Sequence, residues 1–352
     1  MQTKFEQPTA AKWKELYELA VKLKELAPWE WMDETEIFGV ENPETKEICF
    51  VSVMGMLGEH LSIGIYLGAH GLYGFWDFQE AGFEAEPFAL FEIPQLQVSF
   101  ENRDGLEKQD RDVIKKLDLK FRGARNYPLF RSIRPGFMPW FITSAEARVL
   151  IYVIEQALEV APRVRENPNI LDDERDTDNE VCLVRAAERQ NGKLVWRDEM
   201  REIPPPDETE FIVDIPQALI NELKAFPQKK NFVLEIDLFY APTPIGVKGK
   251  RPYIPKMLML ADGGNGMIAG FQIIQPQEEQ HQNYAEISSQ VFDSLQKLNA
   301  RPQEIRVADD LLFTLLKGVN QQLNIKIRQT DDLPAIDAAK EQMFRFFGGS
   351  LF

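Results

Sequence analysis

A chain of 352 residues is about twice the length of a typical domain, so we expect two domains. Its hydrophobic content of 44% is typical of a globular protein, and its formal net charge of −16 disfavours non-specific binding to nucleic acid. The two cysteines, Cys49 and Cys182, cannot make a disulfide framework and predict buried thiols. No stretch resembles a signal peptide, and the longest apolar run, Ile48–Leu57, is too short to span a bilayer. We therefore expect a cytoplasmic protein without membrane association.

Residues 1–165 predict an α+β domain. Apolar residues recur at helical spacing in Thr9–Ala27, and strand-like runs follow. A capping box at Thr143 and Glu146 predicts the start of a long helix. The other predicted elements are strands at Glu36–Val40, Ile48–Met56, Leu61–Leu67 and Leu90–Phe100, and a charged helix at Leu106–Leu117.

Residues 166–180 are polar and acidic, which predicts a linker or surface loop. The next region, 181–230, contains the dipeptide Asn191-Gly192, which favours a tight hairpin between Val181–Ala187 and Lys193–Met200. A short helix is predicted at Pro216–Phe226. The sequence does not assign 181–230 to either domain.

Residues 231–352 predict an α/β domain. Three strand-like runs, the second and third joined by the glycine-rich turn at 262–266, are followed by alternating helices and strands. The order strand, strand, strand, helix, strand, helix, strand, helix resembles that of ribonuclease H-like folds, which implies a mixed five-stranded sheet with helices on both faces. The residues that we expect in its core include Leu234, Ile236, Leu258, Leu260, Ile273, Ile305, Val307, Ile325 and Ile327.

A second resemblance covers most of the chain. The segments FRGAR at 121–125 and RSIRPGFMPWF at 131–141, with RPYIPKMLMLAD at 251–262, GMIAGFQ at 266–272 and LPAID at 333–337, are similar to uncharacterised two-domain bacterial proteins. The resemblance implies a family of unknown function, so it assigns no catalytic residue.

Carboxylates lie where ribonuclease H-like enzymes keep metal ligands. Asp237 lies in the first predicted strand of 231–352, Asp309 follows the fourth, and Asp337 and Glu341 share a face of the last helix. Such a set could hold two Mg²⁺ or Mn²⁺ ions and activate water for phosphodiester cleavage. With 56 acidic residues, however, suitable positions arise easily by chance, and Asp337 could simply stabilise the first turn of its helix. Lys340 could form a salt bridge that disables a metal site.

A basic segment lies between residues 120 and 134. Its arginines alternate with aromatic residues, a pattern that suits phosphate contact and base stacking. The alternative, which we prefer, is that they neutralise acidic groups of their own chain. These candidate anion-binding residues are Arg122, Arg125, Arg131 and Arg134.

Two functional hypotheses follow. The first is a non-catalytic protein that binds a protein or small ligand, needs no cofactor and has a degenerate ribonuclease H-like domain. The second is a nuclease or related phosphoryl-transfer enzyme that uses Asp237, Asp309 and Glu341 with Mg²⁺ or Mn²⁺. Charge favours the first hypothesis, in which the protein is not an enzyme, and leaves the second open.

Overall fold

The computed structural model describes residues 6–82, 88–172, 180–206, 215–277 and 280–346. The chain is a mixed α/β protein that divides into two compact units. The first comprises Met1–Pro135 and Pro139–Asp207, and the second comprises Gly136–Met138 and Glu208–Phe352.

The first unit contains a seven-stranded mixed sheet with the strand order β5-β4-β3-β2-β1-β6-β7. Among the described strands of this sheet, β1 and β6 pair parallel and the other neighbours pair antiparallel. Its elements are α1 (Ala10–Leu26), β1 (Phe38–Glu41), β2 (Ile48–Met54), β3 (Ser62–Leu67), α2 (Gly68–Ala81), β4 (Gln95–Glu101), α3 (Lys108–Lys116), β5 (Tyr127–Ile133), α4 (Ser144–Glu166), β6 (Glu180–Gln190) and β7 (Lys193–Ile203).

Helices α1 and α4 form the main core with one face of this sheet. Leu16, Leu23, Leu150 and Ile154 are fully buried and belong to the same cluster as the strand residues around Val51. The predicted capping box of α4 is present, with Thr143 and Glu146, and α1 begins at Thr9, whose side chain accepts a hydrogen bond from the N–H of Lys12. The helical periodicity and the cap chemistry of the sequence are therefore confirmed here.

The hairpin of β6 and β7 belongs to the first unit. Asn191 and Gly192 adopt positive φ angles of 51° and 78°, as the tight turn requires. The unit boundary lies between Asp207 and Glu208 instead of within 166–180, because β6 extends the first sheet by pairing with β1. Residues 173–179 of the predicted linker lie outside the described part of the chain.

Two elements of the first unit were not predicted. Helix α2 follows β3 directly and buries Leu72 and Phe75. Strand β5 forms one edge of the sheet and contains part of the basic segment, including the buried Arg131. Charge patterning alone does not reveal that an arginine lies in a buried strand.

The second unit contains a five-stranded mixed sheet with the strand order β10-β9-β8-β11-β12. The first three strands pair antiparallel, and β8, β11 and β12 pair parallel. Its elements are α5 (Gln217–Ala225), β8 (Val233–Tyr240), β9 (Lys256–Asp262), β10 (Ile268–Ile274), α6 (Gln280–Lys297), β11 (Glu304–Val307), α7 (Asp310–Lys317), α8 (Asn320–Leu323), β12 (Lys326–Gln329) and α9 (Pro334–Phe346).

Hydrophobic clusters cover both faces of the second sheet. On one face, Leu234 and Ile236 of β8 pack with residues of α5, α6 and α7. On the other, Phe239 and Met259 pack with Ile336 of α9. Ile273 was expected in the core, but it lies on the edge strand β10 and is 58% exposed.

Residues Gly136–Met138 belong to the second unit although they interrupt the first in sequence. The N–H of Met138 donates to the carbonyl of Pro252 at 3.0 Å, and the N–H of Ile254 donates to the carbonyl of Gly136 at 2.9 Å. Gly136 has a φ of 76°, a conformation that side chains disfavour. The segment RSIRPGFMPWF is one of those that carry the family resemblance. Three of its residues thus belong to the second unit, and the rest belong to the first.

None of the helices in the described ranges is long and apolar enough to cross a membrane.

The ionised Glu146 side chain should stabilise the first unit in a pH-dependent way. Burial opposes its ionisation, but the N–H of Thr143, the Arg134 guanidinium and the Ser132 hydroxyl together lower its pKa below the ordinary value of 4.5. Its contribution to stability is therefore complete above pH 4.5 and is lost as the pH falls through the lower folded pKa. Glu146→Gln should lower the free energy of unfolding by about 1–2 kcal/mol at neutral pH.

Urea unfolding of wild type and Glu146→Gln between neutral and acidic pH measures this effect, and the difference should shrink as the pH falls below 4.5. Glu159→Gln, in the exposed part of the same helix, is the control and should change stability by less than about 0.5 kcal/mol. A difference for Glu146→Gln that stays constant with pH would contradict the charge-based explanation.

Candidate functional site

The two faces of strand β8 have different surroundings within the second unit. Because side chains alternate along a strand, Leu234, Ile236 and Leu238 enter the large apolar cluster, whereas Glu235 and Asp237 point to the face that α9 covers. Glu235 is fully buried and Asp237 is 5% exposed. Burying two carboxylates on one strand face is costly unless each has a partner, so their partners define the site.

Asp237 has a lysine as its partner. The ammonium group of Lys340, on α9, forms an ion pair with Oδ2 of Asp237 and lies 4.5 Å from the centre of the Phe239 ring. The Asp237 side chain is 7% exposed and that of Lys340 is 25% exposed. Lys340 was foreseen as a residue that could disable a metal site, and the structure pairs it with the first candidate ligand.

Asp309 acts as the N-cap of α7. Its Oδ1 accepts a hydrogen bond from the N–H of Leu312 at 2.8 Å. Burial raises the pKa of Asp309 above its ordinary value, and the negative charges of Asp237 and Asp310 add to this effect, while the Leu312 N–H and Lys256 oppose it. Asp237 and Asp309 are thus close enough to interact electrostatically.

The two candidate ligands on the last helix do not join this pair. Asp337 is exposed, and Glu341 is exposed and forms an ion pair with Arg345 one turn later on the same helix. Within the described ranges, no group of three or more histidine, cysteine, aspartate or glutamate side chains is arranged to hold a metal ion. In this structure the three carboxylates have separate partners: Lys340 for Asp237, the Leu312 N–H for Asp309 and Arg345 for Glu341.

Glu235 was not predicted as a site residue. Its Oε2 accepts hydrogen bonds from the N–H groups of Ala335 at 2.8 Å and Ile336 at 3.2 Å, in the first turn of α9. A carboxylate at this position satisfies free N–H groups and interacts favourably with the helix dipole. The other oxygen, Oε1, is buried and has no hydrogen-bond partner among the described residues. The alternation of β8 places Glu235 beside Asp237, but the sequence gives no sign that it caps a helix 100 residues later.

Gly263 is constrained by the same carboxylate. A Cβ atom at this position would lie 2.9 Å from Oε1 of Glu235, which is closer than real side chains approach. The backbone there is also fixed, because the N–H of Gly263 donates to the carbonyl of Val233 at 2.9 Å. A glycine is therefore needed at position 263 for two reasons: it lies in a turn, and its backbone packs too close to Glu235 to leave room for a side chain.

The basic segment divides into two structural groups. The guanidinium of Arg131 is buried, forms two hydrogen bonds with Asp110 at 3.0 and 2.7 Å, and lies 4.9 Å from the centre of the Phe141 ring. Arg134 forms an ion pair with Glu146 at 3.1 Å. These two arginines neutralise acidic groups of their own unit, as we expected.

The other two arginines are exposed and differ from this expectation. Arg125 donates to the backbone carbonyl of Gly58 instead of a carboxylate, and it has a positive φ of 54°. Arg122 also lies at the surface. The four arginines therefore do not act as one set, because Arg131 and Arg134 are already engaged.

A polar cleft lies near the other end of the parallel strands of the second unit, lined by Val233, Glu304 and Lys326 at the start of β8, β11 and β12. Glu304 accepts hydrogen bonds from Arg306 and Lys326 at 2.9 Å each. The rest of the lining is mostly carboxamide side chains: Gln228, Gln303, Asn320, Gln321 and Asn324. Part of this hydrogen-bonding capacity is used internally, since Gln228 donates to the carbonyl of Asn324 at 2.7 Å.

Comparison with known families identifies two domains. Residues 13–185 match the family described as a domain of unknown function, DUF7309, and residues 219–344 match a second domain of unknown function, DUF6930. These two domains of unknown function support the resemblance to an uncharacterised two-domain family that was noted from the sequence segments. None of the curated proteins matches the chain.

Replacing Gly263 should destabilise the second unit. Gly263→Ala forces a methyl group against Glu235, which two backbone N–H groups hold in place, so we expect a loss of about 2 kcal/mol. Gly246→Ala is the control, because its Cβ would meet Pro252 at an ordinary 3.6 Å. Thermal and urea unfolding measure both variants.

The coupling between Gly263 and Glu235 can be tested directly. In the double variant Glu235→Ala/Gly263→Ala the clash disappears, so its loss should be smaller than the sum of the two single losses. Additive losses would show that Glu235 is not what excludes a side chain at position 263.

Replacing Arg131 tests the role of the basic segment. Arg131→Ala leaves Asp110, whose side chain is 11% exposed, without its ion-pair partner, and should cost about 3 kcal/mol. Arg122→Ala, in the exposed part of the segment, should change stability by less than about 0.5 kcal/mol. A nucleic-acid interface would give the opposite result: unchanged stability and reduced salt-dependent binding for both variants.

Proposed function

We propose that this chain is a non-catalytic binding protein whose second unit has a degenerate ribonuclease H-like fold. The observation that carries the proposal is the ion pair between Lys340 and Asp237. An ammonium group supplies the positive charge that a buried carboxylate needs, and in an active enzyme of this class a divalent cation would supply it.

The sheet of the second unit supports the fold. Three antiparallel strands are followed by two parallel strands, and helices connect the parallel ones. Asp237 lies in the central strand, and Asp309 lies two residues beyond the end of β11. This is the arrangement in which metal-dependent members of the fold class would place their first two carboxylates.

The partners of these carboxylates support the absence of catalysis. Asp237 is engaged by Lys340, Asp309 caps α7, and Glu341 is engaged by Arg345 on the surface. Each group thus has a structural role that explains its position without a bound ion. Phosphodiester substrates would also meet a chain with a net charge of −16, and Arg131 and Arg134 are already neutralised by internal carboxylates.

One observation favours the alternative, a metal-dependent nuclease that uses Asp237, Asp309 and Glu341. The negative charge of Asp237 contributes to the raised pKa of Asp309, and neighbouring carboxylates of this kind can share a cation. A change of side-chain position on α9 would be needed, because Lys340 must leave Asp237 before a metal ion could bind there.

Cleavage assays with Mg²⁺ or Mn²⁺ distinguish the two functions. We expect no specific turnover of single-stranded, duplex or hybrid nucleic acid by the wild type. Asp237→Asn and Glu341→Gln are matched variants, since both belong to the proposed ligand set but only Asp237 is buried. Robust cleavage that either variant abolishes would overturn the proposal and establish the nuclease.

Stability measurements on the same variants give a readout that does not depend on activity. Lys340→Met leaves Asp237 buried without a counter-charge and should cost about 3 kcal/mol, whereas Glu341→Gln should cost less than about 0.5 kcal/mol. Mn²⁺ should leave the wild-type melting temperature unchanged. A rise of that temperature with Mn²⁺ that Asp237→Asn abolishes would show that the carboxylate binds metal.

A further inference from the structure

The edges of the two sheets differ in how they are protected. Exposed edge strands carry free backbone N–H and C=O groups, and proteins discourage their association with charged residues or proline. Edge strand β5 contains Pro128 and Arg131, β7 contains six charged residues, and β12 contains Lys326 and Arg328. Edge strand β10 contains neither a charged residue nor a proline.

Strand β10 and Met267, the residue before it, expose a concentrated group of apolar side chains. Met267 is 67% exposed, Ile268 45%, Phe271 55% and Ile273 58%. In the described part of the chain, these are four of the eleven large apolar residues that are exposed, and they lie within seven consecutive positions. Three of them, Ile268, Phe271 and Ile273, pair with Ala261, Met259 and Met257 of β9, which face the cluster under α9.

We propose that β10 is a docking edge for a second copy of this chain. The two strands would pair antiparallel about a two-fold axis at Gln272, so that Phe271 of each copy lies opposite Ile273 of the other. Antiparallel edge pairing satisfies the free backbone groups, and cross-strand pairs of an aromatic and a β-branched residue are stabilising. The irregularity between Ile268 and Gly270 lies at the start of the strand and leaves Phe271–Ile274 regular.

Charge and symmetry favour a second copy over a different partner. Residues 267–277 contain no charged residue, so two chains of charge −16 can approach each other at this segment with little local repulsion. A foreign partner selected by electrostatics would need charged residues here to recognise. Strand β10 is complementary to a second copy of itself, because Phe271 of one copy faces Ile273 of the other. A two-fold axis brings the same surface patch of both copies together.

The available area predicts a weak dimer. Given their exposed fractions, the four side chains offer at most on the order of 400 Å² per copy to such an interface. Two copies thus approach the roughly 1,000 Å² that separates specific interfaces from incidental contacts. We infer a dimer that forms and dissociates with concentration. This inference goes beyond the proposed function and does not depend on it.

Sedimentation of the full chain from about 1 to about 200 μM tests the dimer. The wild type should change from monomer to dimer over this range, and Phe271→Lys should weaken the association at least about tenfold. Leu57→Lys, at a position 90% exposed in the first unit, is the control and should dimerise like the wild type. Circular dichroism establishes that each variant is folded.

A cysteine at Gln272 tests the register even if Phe271→Lys fails to fold. Oxidation of Gln272→Cys should link two chains, because a two-fold axis at this residue brings the two cysteines within disulfide distance. The native cysteines are buried, and Val195→Cys on the charged edge strand β7 is the control that should stay unlinked. A wild type that remains monomeric throughout the range, or a dimer that Phe271→Lys leaves intact, overturns the proposal.

Discussion

The docking of helix α9 on strand β8 depends on two buried carboxylates of that strand. Glu235 accepts hydrogen bonds from the first turn of the helix, and Asp237 holds Lys340 farther along it. Two residues of a strand cover about 7 Å, and the four or five residues from Ala335 or Ile336 to Lys340 cover about 6–7.5 Å of helix. The spacings match, so α9 runs beside β8 in the same direction, fixed at two points by charge and covered between them by apolar contacts.

The attachment of α9 at two points gives the carboxylates of β8 a structural role. A buried charge requires compensation, and here the helix supplies both kinds: backbone N–H groups for Glu235 and an ammonium group for Asp237. The helix in turn could not pack its polar first turn on a sheet without an acceptor there. Asp237, which suggests catalysis in the sequence, thus also helps to explain why α9 lies where it does.

Sequence reasoning succeeded where the determining interactions are local. The cap at Thr143 and the turn at Asn191-Gly192 involve residues a few positions apart, and their chemistry is visible in a short window. It failed where the partner is distant. Ile273 has the alternation of a core residue, but its exposure is decided by the position of β10 at the end of the sheet order. The sheet order depends on pairings between distant segments, which periodicity does not report.

The same limit applies to the candidate site. Asp237 stands out as a polar residue in an apolar run, so the sequence identifies it, but Glu235 owes its role to a helix 100 residues away. Arg131 has the same charge as Arg122 and belongs to the same basic segment, yet one is buried against Asp110 and the other is exposed. Residue type and spacing predicted which groups were available for chemistry. The fold determined which of them were already used.

The assignment of Gly136–Met138 to the second unit bears on how this protein can be divided. Cutting the chain between Asp207 and Glu208 would produce a C-terminal fragment without the segment that bonds the backbone of Pro252 and Ile254. It would also remove Phe137, whose ring lies 6.5 Å from that of Tyr253 and 5.9 Å from the Arg251 guanidinium. The family matches place the two domains one after the other, but a single cut would not separate the two compact units. A C-terminal fragment with the complete second unit would need these three residues added to the chain or supplied as a peptide.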